Sequence, residues 1–112
     1  MMNPIHKDLA GGRWFKLSLI EQMANIGSEV FRTISWRAKN KDYSEKAFER
    51  SLELFDLTAM DPKNIKRLKE ILRSRELWVD YAYGSNQYCQ NDTIWQNYFY
   101  AFNYAARNVT TA

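Results

Sequence analysis

The sequence predicts an all-α chain, an antiparallel up-down-up-down four-helix bundle, and three observations carry that expectation. Apolar residues recur at helical period in four separate stretches. No stretch alternates apolar and polar residues as a half-buried strand does. The connections are short, which makes consecutive helices antiparallel neighbours. At 112 residues the chain is long enough for one core and too short for two, so a single domain over 1–112 is expected.

The first helix is expected over about 15–39, after a flexible N-terminal arm at 1–13. Ile20, Met23, Ala24, Ile26, Gly27, Val30, Phe31, Ile34 and Ala38 share its apolar stripe. Gly27 costs about 1 kcal/mol against alanine inside a helix, so a neighbouring helix should approach closely there. The second helix, about 45–60, takes Ser44 as its N-cap. It turns Phe48, Leu52, Phe55 and Ala59 inward, with Ala47 and Leu54 at the edge.

"DPKN" marks the sharpest boundary, with Asp61 as N-cap and Pro62 at the first helical position. The third helix, about 62–83, runs through Ile65, Leu68, Ile71, Leu72, Trp78, Val79 and Ala82 to a stop at Gly84. Asp92 opens the fourth, about 93–107. Its core face holds Trp95, Tyr98, Phe99, Phe102, Ala105 and Ala106.

Hydrophobic residues make up 46% and charged residues 26%, a globular balance. Cys89 is alone and cannot close an internal disulfide, which fits a reducing compartment. The start of the chain lacks the apolar region of a signal peptide. No apolar run approaches the roughly 18 residues of a membrane span. A cytoplasmic protein with no membrane partner is the expectation.

Several chemistries are excluded by what the helices lack. His6 is the sole histidine and precedes the bundle, so no Glu-x-x-His di-iron site can form there. Cys89 has no histidine to activate it, and "GGRWF" follows no strand, so it is not a phosphate loop. No cofactor, metal or catalytic residue is expected, and the chain reads as a non-enzyme. Glu49, Glu53 and Asp56 share one face of helix two. They leave a Mg²⁺-dependent all-helical phosphohydrolase as a minor alternative, though the E-x-x-E pair of such enzymes is missing. Arg75 falls on the stripe of Leu68, Leu72 and Val79, which predicts a buried ion pair with Asp56.

Two surfaces are expected to be used. A bundle of this topology gathers Arg13, Lys16, Lys63, Lys66, Arg67 and Arg107 at one end, and Arg37, Lys39 and Lys41 at the other. With a net charge of +3 and a pI near 9.0, the chain is mildly basic. The first group would hold phosphates of RNA or DNA without sequence preference, or meet a nucleic-acid enzyme. Opposite the core face, the fourth helix carries Gln96, Tyr100, Asn103 and Tyr104 and no acid between Asp92 and its end. Interfaces favour tyrosine, tryptophan and arginine and shed acids. With Trp36 and Tyr81 these residues form the expected homo-oligomer interface.

The segments "GGRWFKLSLIEQMANIGSEVFRTISW", "KAFERSLELFDLTAMDPKNIKRLKEILRSRE" and "YFYAFNYAARN" resemble an uncharacterised family of short bacterial all-helical proteins. That resemblance implies no particular activity. In size, helix count and mild basicity the chain is also similar to the four-helix bundles encoded in intervening sequences of 23S ribosomal RNA genes. The accessory protein of diversity-generating retroelements, a pentamer that works with reverse transcriptase and RNA, is similar at the same level. This second likeness implies an oligomeric accessory protein with a nucleic-acid partner and transfers no residue. A protein–protein adaptor without a nucleic-acid role is the alternative.

Overall fold

The computed structural model describes residues 12–110, which form four α-helices: α1 (Leu19–Trp36), α2 (Lys41–Met60), α3 (Leu68–Tyr83) and α4 (Asp92–Thr110). Two 3-10 turns, Trp14–Lys16 and Pro62–Arg67, precede α1 and α3. Among the described residues there is no strand. The arm expected at 1–13 lies outside the described residues up to position 11, as does His6.

The start of α1 is fixed by a reciprocal cap. Ser18 Oγ accepts from the Glu21 N–H at 3.1 Å, and Ser18 N donates to Glu21 Oε1 at 3.1 Å. Two otherwise orphaned donors are satisfied this way. The helix therefore begins at Leu19, not near residue 15. The Trp14–Lys16 turn is a separate element, ended where Leu17 goes extended at ψ 147. Trp14 is 1% exposed, so this turn plugs the core.

Asn40, not Ser44, caps α2 and accepts from the Tyr43 N–H at 3.2 Å. Ser44 lies inside the helix, buried, and donates to the Thr33 carbonyl at 2.6 Å. The boundary at Asp61 and Pro62 stands as expected, but the turn it opens is 3-10. A 3-10 turn holds 3.0 residues instead of 3.6, so a wheel drawn from Pro62 loses phase before α3 begins. Ile65 lies in that turn and is exposed; within α3, Ile71, Ser74 and Trp78 form the buried stripe and Leu72 is exposed. Gly84 ends α3, donating its N–H to the Asp80 carbonyl at 2.9 Å. The cap of α4 is Asn91, which accepts from the Ile94 N–H at 2.9 Å and leaves the Asp92 carboxylate for other partners.

Helix α1 packs against both α2 and α4, and α3 leans on α2. A Cβ on Gly27 would lie 2.7 Å from the Cβ of Phe99, so α1 and α4 approach as closely as their backbones allow. Between α3 and α4 the filling is aromatic. The rings of Trp78 and Trp95 meet edge-on at 5.3 Å, and Trp95 stacks on Phe99 at 6.1 Å. Such pairs add about 0.5–1.5 kcal/mol beyond their buried area. Trp95 and Phe99 are buried, with Tyr98 and Phe102 packed against them, the face expected from the sequence. Contacts between consecutive helices are consistent with antiparallel neighbours.

Candidate interaction surfaces

One end is organised by a buried polar network at the corner between α2 and α3. Trp14 donates its indole N–H to Thr58 Oγ1 at 3.1 Å. The Gln22 amide donates to the Trp14 carbonyl at 3.1 Å and to Asp61 Oδ2 at 2.8 Å. Asn64 donates to Gln22 Oε1 at 2.8 Å and to the Thr58 carbonyl at 3.0 Å. Gln22, Thr58, Asp61 and Asn64 are all at most 4% exposed, and in such a setting each polar group needs its partner. Burial pushes the Asp61 carboxyl upward. The Lys63 ammonium, the Gln22 amide and the Lys63 N–H outweigh that and hold it below the usual carboxylate range.

This network places the basic residues. Lys63 pairs with Asp61 and donates to the Phe15 carbonyl at 3.1 Å, which ties the two 3-10 turns together. Arg13 and Lys16 flank Phe15, and Lys66 and Arg67 close the second turn; all four are exposed. Arg67 pairs with Glu70 at 3.4 Å beside a cleft of about 240 Å³ that Leu19, Ile71 and Phe102 also line. Arg107 is exposed in the last turn of α4, beyond Phe102. Lys63 is part of the framework, so Arg13, Lys16, Lys66 and Arg67 are the cations best placed to reach outward.

At the opposite end a clasp joins α1, α3 and α4. Arg37 grips Asp92 with two bonds, 3.2 and 2.8 Å, and the Tyr81 hydroxyl donates to the same carboxylate. Burial raises the Asp92 carboxyl, but the bonds from Arg37 and Tyr81 bring it below its ordinary value. The Asp92 bond raises Arg37 further, while burial and then Asp92 raise Tyr81. Tyr81 also stacks on Trp95 at 6.3 Å. It is half-buried and packs on the core, and the Asp92 carboxylate gives its hydroxyl a partner there. Leu77 likewise packs on the core.

The other expected interface residues lie further out. Trp36 is 42% exposed, 5.4 Å from the Tyr43 ring, with the Lys39 ammonium 6.0 Å above it. Tyr100 and Tyr104 are 57% and 58% exposed, Gln96 is exposed and Asn103 half-buried. Arg75 and Asp56 do pair, at 2.8 Å, but at the surface: their side chains are 32% and 58% exposed. Within α3 the inner stripe runs through Ile71, Ser74 and Trp78, and Arg75 lies at its edge. Besides Asp61, Glu29 is a buried carboxylate, held by Arg32 at 2.6 Å and Arg50 at 3.1 Å. Glu49 is exposed and Glu53 half-buried. Among the described residues no three His, Cys, Asp or Glu side chains are grouped to hold a metal ion, and no helix is long and apolar enough to cross a membrane.

No protein family, curated protein or solved structure matches the chain.

Proposed function

We propose that this chain is a non-enzymatic, self-associating accessory protein whose basic end binds nucleic acid or a nucleic-acid enzyme. The observation that carries the proposal is the bond from Lys63 to the Phe15 carbonyl. It sets the turn bearing Arg13 and Lys16 beside the turn bearing Lys66 and Arg67. The acids nearest this corner are already engaged: Asp61 by Lys63, Glu70 by Arg67, and Glu21 by the α1 cap. Phosphates held by such a cluster give salt-sensitive affinity without sequence preference.

The same proposal includes an antiparallel up-down-up-down arrangement. Its support is the reversed order of contacts along each helix pair. Ser44 meets Thr33 and Arg50 meets Glu29 between α1 and α2; Arg75 meets Asp56 and Trp78 meets Ser51 between α2 and α3. Tyr81 meets Asp92 and Ser74 meets Tyr98 between α3 and α4. A homo-oligomer would use the exposed Tyr100 and Tyr104, and several copies would multiply a weak electrostatic contact. A reducing, cytoplasmic setting accords with Cys89, which is exposed and unpaired. The tyrosine face also supports a second role, that of a protein–protein adaptor.

The test is charge reversal. Lys66→Glu with Arg67→Glu should weaken RNA binding at least about tenfold and lower its salt dependence by about one phosphate contact per residue. Lys46→Glu, on the exposed side of α2, should leave both unchanged. Equal behaviour of the two variants would overturn the basic-end assignment.

A further inference from the structure

The protein has four tryptophans, and three of them, Trp14, Trp78 and Trp95, are buried in the core. Trp36 is not. It ends α1, and across the α1–α2 turn its ring lies 5.4 Å from that of Tyr43, the two planes tilted by 43°. Trp36 is 42% and Tyr43 56% exposed, and neither belongs to the core or to the side chains packed against it. Apolar side chains exposed singly need no explanation, whereas two large rings in contact form a patch.

The backbone presents these rings in a fixed place. The N–H groups of Lys39 and Asn40 both donate to the Trp36 carbonyl, at 3.0 and 2.8 Å. Asn40 Oδ1 accepts in turn from the Tyr43 N–H as the cap of α2. A surface already held by its own turn loses little freedom when a partner settles on it.

The surroundings of the rings narrow the partner. Between them stand Arg37, Ala38, Lys39, Asn40, Lys41 and Asp42: three cations, one acid and no aliphatic side chain larger than alanine. Such a segment gives an aliphatic anchor of a protein partner nothing to bury against. It offers flat aromatic faces rimmed by positive charge. The Lys39 ammonium stands 6.0 Å from the centre of the Trp36 ring, at the outer limit of a cation–π contact, so it is free to leave the ring for an anion. Arg37 neutralises Asp92 at 2.8 Å, and Lys39 and Lys41 are exposed.

We propose that the α1–α2 turn binds an unpaired nucleic-acid strand. A base stacks on the Trp36–Tyr43 pair, and Lys39 and Lys41 receive the phosphates beside it. Stacking uses a π-face that every base possesses, so it tolerates any sequence, and it is denied to a duplex, whose bases already cover one another. The turn reads bases, whereas the basic end would contact phosphates alone, and the one assignment does not depend on the other.

Because the other three tryptophans are buried, quenching of tryptophan fluorescence by a stacked base reports on Trp36, an assignment checked by its loss in Trp36→Phe. A short oligouridylate would be titrated into the full chain, with an abasic phosphodiester of the same length as comparison, and affinities read from the anisotropy of labelled strands. Saturable quenching by oligouridylate is the expected result. Binding should weaken at least about fivefold in Trp36→Ala, in Tyr43→Ala, and when the abasic strand replaces oligouridylate. Both rings are exposed, so helix content should stay constant in both variants. An abasic strand that binds as tightly as oligouridylate, or binding unchanged in the two variants, overturns the proposal. So does a lower light-scattering mass in Trp36→Ala with no quenching by the strand, which assigns the rings to a contact between copies. Strand binding lost in Lys66→Glu with Arg67→Glu but kept in Trp36→Ala overturns the turn and leaves the basic end standing. The reverse result upholds the turn and removes the basic end.

Discussion

The Cα of Gly27 faces the Cβ of Phe99 so closely that a methyl group on it would sit 2.7 Å away. The atom it would strike is attached directly to the α4 backbone, so no rotamer change in Phe99 relieves the contact.

Gly27→Ala should therefore destabilise the fold despite gaining about 1 kcal/mol of helix propensity. Forcing a methylene into a filled core costs about 1–3 kcal/mol, and here the neighbour cannot turn aside. A net loss of about 1–2 kcal/mol is expected, read as a lower midpoint in urea at unchanged slope. A stabilised variant would mean that α4 moves easily away from α1.

The ion pairs of Asp56 and of Glu29 should behave unequally. Asp56→Ala removes a surface pair with Arg75 and should cost under about 1 kcal/mol. Glu29→Ala leaves Arg50 facing a buried gap and should cost about 2–4 kcal/mol, because breaking a buried pair strands the remaining charge. Equal costs in chemical denaturation would contradict the burial assigned to Glu29.

Asp61 and Asp92 both have carboxyls lowered on folding, which sets the direction of the acid response. A lowered folded pKa contributes stability above the unfolded value of about 3.9 and loses it as pH falls through the folded value. Stability should thus decline below about pH 4, and less steeply in Asp92→Asn. The measurement is a urea midpoint at successive pH values; an acid limb unchanged by the substitution would show that Arg37 and Tyr81 do not stabilise the charged form.

Tyr100→Ala combined with Tyr104→Ala should lower the mass seen by light scattering while helix content stays constant. Both rings are more than half exposed, so the substitutions leave the core intact. A chain that is monomeric before and after would remove self-association.

How much of this was legible in the sequence differs from helix to helix. The α4 face of Trp95 and Phe99, the close approach at Gly27 and the boundary at Asp61 each follow from a local rule that tertiary packing does not disturb. In α3, Ile71 and Trp78 are buried as their apolar character suggests, but Ser74 lies between them on the inner face while Leu72 is exposed, and a serine gives no apolar signal of its burial. Polar residues inside the core were hidden for a different reason. Gln22, Asn64 and Glu29 read as surface types until their partners on other elements, Asp61, Thr58 and Arg50, are brought beside them. The bond from Tyr81 to Asp92 is likewise hidden in the sequence, because Asn91 takes the capping role and leaves the Asp92 carboxylate to receive the hydroxyl. The basic end was visible as a list of cations. The bond that joins its two halves, from Lys63 to the Phe15 backbone, involves a carbonyl that every residue possesses.

The most direct test of the central claim is a titration of labelled structured RNA with the purified full chain, followed by anisotropy at low and near-physiological salt. Micromolar or tighter binding that weakens steeply with salt is the expected result, since each released counterion adds to the slope. No binding at low salt would contradict a nucleic-acid role for the basic end and leave the tyrosine face of α4 as the working surface.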